Sequence, residues 1–249
     1  MKTTLALIVC ILLFAQCTKT SDDKSIQPTG TYDSLGVHWT VVEQPNIIYY
    51  FQDFGTETSF QRQYVDDHEA AYTNLNAVFK AQLPQKLRFF IWADQTLAAQ
   101  LLGHPLGFTV PRMCVCHVRP NQTIGHEMTH ALVYWSGGIL PTAETRFVSE
   151  GVAVAFDLNT NNKIETAKSA LSGQNYQSVR DFWSGSAQNV SEPVFYPVAG
   201  AFMDFLYKKN QPAQFSALLK NQTIQSAENL YGKAQMDALI AEFDALAGL

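Results

Sequence analysis

The chain has 249 residues and a formal charge of −5, from 17 Lys and Arg against 22 Asp and Glu. Apolar residues make up 47 % and charged residues 16 %, a balance that supports a core and excludes extensive disorder. The acidic balance argues against a nucleic-acid binder, which needs a basic surface to neutralise phosphates, and glycine and proline without a period exclude collagen-like and low-complexity chains.

Residues 1–16 read MKTTLALIVCILLFAQ. Lys2 supplies a short positive start, and Leu5 to Ala15 is an apolar run of signal-peptide length, too short to span a bilayer as a helix. Cys17 ends the run and a polar stretch follows. This resembles a bacterial lipoprotein signal, in which the cysteine becomes the lipidated first residue of the mature chain. Gln16 stands where such signals usually carry a small residue. The resemblance implies lipidation at Cys17 and a chain held at the cell envelope through its N-terminal lipid alone. The alternatives are an ordinary secretory signal, which implies a secreted chain, and an uncleaved anchor. Residues 17–43 read as a tether, because Thr18 to Thr31 shows no apolar period. Residues 44–249 are expected to form one domain.

Ile47 to Phe51 (IIYYF) is a β-branched and aromatic run, hence a strand. Glu57 to Leu83 carries apolar residues at helical spacing, at Phe60, Tyr64, Ala71, Leu75, Val78 and Phe79, and Pro84 ends it. Lys86 to Trp92 is a second strand. Asp94 is placed to cap a short helix through Leu102. Gly103, Pro105 and Gly107 mark a loop, and Met113 to Val118 is a third strand closed by Pro120. Cys114 and Cys116 lie one residue apart in that strand and read as two buried thiols, since a bridge at this spacing would be strained. The remainder is helical, with breaks at Gly137-Gly138, Asn159 to Asn162, Ser184 to Pro193 and Asn210 to Pro212. A strand-rich first half and a helical second half predict an α+β fold, with a small mixed sheet and a long helix preceding the helical part.

His126-Glu127-Met128-Thr129-His130 fits H-E-x-x-H. On a helix, positions i and i+4 share a face, so two imidazoles can present nitrogens to one metal ion. Glu127 projects beside them, where it can accept a proton from water. Asn121 is the expected cap of this helix, and Gly137-Gly138 its end. A catalytic zinc takes three protein ligands and leaves one position open. Glu150, on a second predicted helix from Phe147 to Asp157, supplies the third. Asp157 lies seven residues beyond, placed to accept the free N–H of a ligand histidine. His117 is read as a strand residue facing solvent or the cleft, and His38, His68 and His104 as surface or packing residues.

H-E-x-x-H followed by Glu150 in the setting Ser149-Glu150-Gly151-Val152-Ala153 resembles the gluzincin zinc metallopeptidases, in particular the short peptidase-MA-like domains. The segments Ile47 to Val118, Tyr196 to Leu206 and Leu230 to Leu246 are similar to the corresponding parts of such domains. The resemblance implies a zincin-like fold and one Zn2+ ion bound by His126, His130 and Glu150. It implies Glu127 as general base and then acid, and Tyr196 as the phenol that stabilises the oxyanion. Val154 stands where the thermolysin branch carries an acidic residue, whereas Asp157 matches the aminopeptidase branch. The substrate implied is an extended peptide or protein paired with an edge strand, either Gly107 to Val110 or Met113 to Val118, with Phe108 as a pocket residue. The large aminopeptidases' N-terminal domain does not fit in this length, which favours an endopeptidase. The alternative is a non-catalytic envelope lipoprotein with a structural zinc closed by a fourth ligand such as Cys116 or His117.

Overall fold

The computed structural model describes residues 26–52, 58–209 and 211–249, and the side chains of residues 58 and 59 are not described. The signal segment 1–16, the lipidation site Cys17 and the first part of the tether lie outside the described residues.

The fold is α+β. Its sheet has six strands among the described residues: β1 (Gly30–Ser34), β2 (Val37–Glu43), β3 (Ile47–Phe51), β4 (Leu87–Ile91), β5 (Phe108–Val110) and β6 (Val115–Val118). Their spatial order is β1-β2-β3-β4-β6-β5. β3, β4 and β6 run parallel, while β1, β2 and β5 are antiparallel to their neighbours. Parallel neighbours need a crossover. Helix α1 (Thr58–Phe79) connects β3 to β4, and α2 (Gln95–Leu102) lies between β4 and β5.

The first two strands correct the tether reading. Residues 30–43 pair as a hairpin, with Gly30 opposite Val41 and Ser34 opposite Val37, and β2 continues onto β3. Val37, Trp39 and Val42 are buried. The period-2 start of VHWTVVE is the signal of a half-buried strand, but the polar residues before it mask that signal.

The two faces of the sheet have different covers. On one, Tyr49, Phe51, Leu87, Phe89, Ile91, Cys116 and Val118 join the main core with α1 residues Tyr64, Val65, Ala71, Leu75 and Phe79. Phe60 and Val78, expected on the buried stripe of α1, are exposed. The helix ends at Phe79, earlier than Pro84, because Lys80 turns left-handed at φ 52°. On the other face, Trp39, Trp92 and Ala98 form a smaller cluster with Tyr50, Phe90, Leu97, Leu102 and Leu106. Asp94 caps α2 by accepting from Leu97 N at 2.9 Å, as expected, and Gly103 closes the helix at φ 64°.

The third strand is shorter than the predicted span Met113 to Val118. Pro111–Met113 is a 3-10 turn, and Cys114 sits left-handed at φ 51°, so β6 begins at Val115. Cys114 and Cys116 therefore do not share a strand face. Both are buried free thiols.

The helical half follows: α3 (His126–Tyr134), α4 (Arg146–Ala155), α5 (Lys163–Leu171), α6 (Val179–Ser184), α7 (Glu192–Lys208), α8 (Pro212–Leu218), α9 (Ile224–Tyr231) and α10 (Lys233–Ala247). The predicted breaks lie between these helices or overlap their ends, as Ser184, Pro193 and Pro212 do, and Asn210 lies outside the described residues. α4 and α7 cross closely through glycines. A Cβ on Gly151 would lie 2.7 Å from the Ala199 carbonyl oxygen, and one on Gly200 would lie 2.3 Å from Val154 Cγ1. No larger residue fits at either position without moving a helix. Among the described residues, no helix is long and apolar enough to cross a membrane.

Candidate metal site

His126 opens α3 and His130 lies one turn on. Asn121 does not cap this helix. The cap is Gly125, at φ 96°, a conformation that L-residues rarely adopt. A Cβ there would also meet the Phe156 carbonyl oxygen at 3.2 Å. Leu158 N donates to the Ile124 carbonyl at 2.9 Å. The chain entering α3 is thus docked on the chain leaving α4, which brings the His126 end of one helix to the Glu150 side of the other.

The start of α4 is pinned as firmly. Thr145 Oγ1 accepts from Val148 N at 3.3 Å and donates to the Gln222 carbonyl at 3.1 Å. Its N–H donates to Gln222 Oε1 at 2.9 Å. Such a cap stabilises a helix by about 1 kcal/mol. The run Ser149-Glu150-Gly151 then has a part for each residue. Ser149 Oγ lies 3.3 Å from His130 Nδ1, Glu150 faces the histidines, and Gly151 permits the approach of α7.

His126 Nε2 and His130 Nε2 each lie 3.5 Å from Glu150 Oε2. All three groups have ligand atoms within 4.8 Å of one another and could hold a metal ion. Ligands on tetrahedral bonds of about 2.1 Å are separated by roughly 3.4 Å, so the spacing suits a four-coordinate cation. Side-chain exposures of 18 %, 13 % and 22 % leave the group reachable from solvent. When Ser149 accepts from Nδ1–H, loss of the proton that His130 Nε2 shares with Glu150 leaves the Nε2 lone pair for a cation. Two nitrogens and one carboxylate oxygen are the donor types of borderline divalent metals.

The electrostatics fit the same picture. Burial pushes the Glu150 carboxyl up, but hydrogen bonds from His126 and His130 outweigh it and hold the pKa down at about 2. Burial works against a charged His126. The facing Glu150, Glu127 and Asp157 carboxylates outweigh that and hold its pKa above the ordinary imidazole value. A site that favours positive charge between Glu150 and His126 suits a cation in place of a proton.

Glu127 is buried at 5 % exposure. Its Oε1 accepts from Gln122 Nε2 at 2.7 Å and its Oε2 from Thr109 Oγ1 at 2.8 Å. The carboxylate and the metal-binding group both line a cavity of about 560 Å³ that runs past β5 residues Phe108 and Thr109 to Arg146 and Tyr196. A second cavity of about 290 Å³, beside Arg119 and Gln122, shares Gly107, His126, Glu127 and Tyr196 with the first.

Tyr196 lies one turn inside α7, which begins at Glu192 and carries Pro197 within it. Its ring is 6.4 Å from that of His126, and the Arg146 guanidinium lies 5.5 Å from the ring centre. Burial raises the phenol pKa above its ordinary value. Phe108 lines the larger cavity, but its ring stacks on His117 at 5.0 Å and packs at a tilt against His104 at 4.8 Å. Of the two expected edge segments, Phe108–Val110 is the edge strand, and β6 is flanked on both sides.

Asp157 lies beyond the end of α4. Its carboxylate pairs with Lys163 at 2.5 Å and accepts from Asn159 N at 3.3 Å, instead of binding a ligand histidine. Its effect on His126 is through charge alone. His117 and Cys116 stand outside the metal-binding group. His117 packs between Phe90 and Phe108 and accepts from Trp92 Nε1 at 3.1 Å. Cys116 Sγ lies 3.8 Å from the Glu127 carbonyl oxygen.

The sequence assigns no part to Thr109, Gln122 or Arg146, and names Ser149 only as the residue before Glu150. Thr109 fell within a named edge segment, and strand alternation, which turns Phe108 and Thr109 to opposite faces, was the available signal. Gln122 lies in a loop and Arg146 opens α4, and neither position carries a catalytic motif. No family model matches the chain, and no curated protein compared with it does so either.

Proposed function

We propose that the chain is a zinc-dependent peptidase, and the observation that carries this is the convergence of His126, His130 and Glu150 beside the buried carboxylate of Glu127. Zinc held by His126, His130 and Glu150 would supply a Lewis acid able to polarise a carbonyl and to acidify a water. Glu127 takes the proton of the attacking water and passes it to the leaving amine nitrogen. A structural site has no need of such a base. Tyr196, whose phenol pKa is raised by burial, keeps its proton at neutral pH and is the donor for the developing oxyanion.

The substrate is a peptide segment laid along β5. One side of this short strand pairs with β6, which leaves its other side for a peptide backbone. Two cavities that share Gly107, His126, Glu127 and Tyr196 leave room for a chain that extends beyond the three residues, which favours internal cleavage. Lipidation at Cys17 would hold this activity at a bacterial envelope surface.

The test is cleavage of a quenched fluorescent peptide library by the zinc-loaded chain, with E127Q as control. Loss of the base is expected to lower kcat by at least about 100-fold while zinc remains bound. Equal activity of the two proteins would refute the assignment of Glu127.

A further inference from the structure

We propose that Gln122 is a positioning residue for Glu127, and that with Thr109 it clamps the carboxylate in its working orientation. The inference rests on the peptidase reading and names a part of the machinery that H-E-x-x-H does not contain.

A buried carboxylate needs hydrogen-bond donors. Glu127 has one on each oxygen, Gln122 Nε2 on Oε1 and Thr109 Oγ1 on Oε2. Both donors are uncharged. They fix the plane of the carboxylate without pairing it with a cation, and each oxygen keeps a second lone pair for a water proton. A cationic partner would hold the negative charge more tightly and weaken the base.

The amide is itself held. Gln122 Oε1 accepts from Arg119 N at 3.4 Å, and Gly107 lies directly against the Nε2 side. A Cβ on Gly107 would be 2.9 Å from Gln122 Nε2. Gly107 is fixed in turn at φ +93°, and its N–H donates to the His117 carbonyl at 3.0 Å. The turn before β5 therefore makes room for the amide, and the amide faces the carboxylate. Thr109, two residues along the same segment, reaches the other oxygen. Its one hydroxyl proton is shared between that oxygen at 2.8 Å and the Glu127 carbonyl oxygen at 2.9 Å. The edge strand offered to substrate thus carries one arm of the clamp, Thr109, and the turn before it holds the other, Gln122, so the strand and the base are placed together. Small errors in the orientation of a reacting group are costly in rate.

The experiment compares the zinc-loaded wild-type chain with Q122M, which keeps the side-chain length and loses the donor, and with Q122N, which keeps the amide and shortens its reach. Peptide hydrolysis, zinc affinity and crystal structures of the zinc-loaded proteins are measured. For both variants kcat is expected to fall about 10- to 100-fold, with KM and zinc affinity within about twofold of wild type. In the crystal structures the Glu127 carboxylate is expected to rotate or split between two rotamers. Unchanged kcat, or a loss explained by KM or by zinc affinity, overturns the proposal. If wild type hydrolyses no peptide, the peptidase reading fails separately. The crystal structures still decide the clamp, because a Glu127 carboxylate unmoved in both variants overturns it.

Discussion

His68 shows at the residue scale what burial does to a titratable group. It is 3 % exposed, stacks on the Tyr64 ring at 3.9 Å and places Nδ1 2.7 Å from the Tyr64 carbonyl oxygen. Burial lowers its pKa from 6.5 to about 4. His117 is lowered to about 4 by the same cause, and protonation of its Nδ1 would remove the acceptor used by Trp92. A folded pKa below the unfolded one means that the unfolded chain takes up protons first. The stability these two residues contribute is fully present above pH 6.5 and is lost as pH falls through about 4. H68F is therefore expected to flatten the fall in Tm between pH 7 and pH 4.5, and thermal melts across that range check it. Equal slopes for wild type and H68F would contradict the assignment. At the same scale, the metal-binding trio was legible in sequence because two ligands are one helical turn apart and the third follows in a recognisable setting. Gln122 and Thr109 were not, because their meeting with Glu127 depends on how a loop and a strand end are folded back on α3.

Elements carry these residues to each other, and the crossing of α4 with α7 is the tightest junction. Adding a methyl at Gly151 or Gly200 forces a helix to shift, at a cost of about 1–3 kcal/mol. G151A is expected to lower stability to denaturant by that amount and also to weaken zinc binding, since Glu150 precedes it. G200A is expected to cost a similar amount with less effect on zinc. Denaturant titration and zinc calorimetry on the two variants check both. The β1–β2 hairpin makes a second prediction. Trp39 is 1 % exposed and packs edge-on to Trp92 at 4.7 Å. W39A is expected to cost about 3–5 kcal/mol, read by denaturant titration, whereas a true tether would tolerate it. Most later elements were legible because strong breakers such as Gly103 and Gly137-Gly138 lie at or just past their ends. It missed the hairpin because two short strands flanked by polar residues show only a few alternations. It also misplaced the cap of α3, because Asn121 has good capping chemistry while Gly125 is selected by a tertiary contact with Phe156.

On the scale of the whole molecule, the sheet and the helical half meet at the metal-binding group. β5 and α3 bring Thr109, His126, Glu127 and His130, and α4 and α7 bring Glu150 and Tyr196. A cation held by residues from two helices links them, so zinc is expected to stabilise the folded chain by mass action, by about 2.7 kcal/mol at a hundred times Kd. Binding also competes with protons. Because carboxylates hold the His126 pKa above its ordinary value, the metal-free chain keeps that proton to higher pH, and zinc must displace it. Apparent zinc affinity is therefore expected to rise from pH 6 to pH 8, and calorimetry in buffers of different ionisation enthalpy would record the released protons. The most direct test of the metal assignment is a zinc titration of the metal-free chain alongside H126A, H130A and E150A. One zinc per wild-type chain with a submicromolar Kd, and at least about tenfold weaker binding in each variant, is the predicted result. A wild-type chain that takes up no zinc at micromolar concentration, or variants that bind it as tightly as wild type, would contradict the assignment.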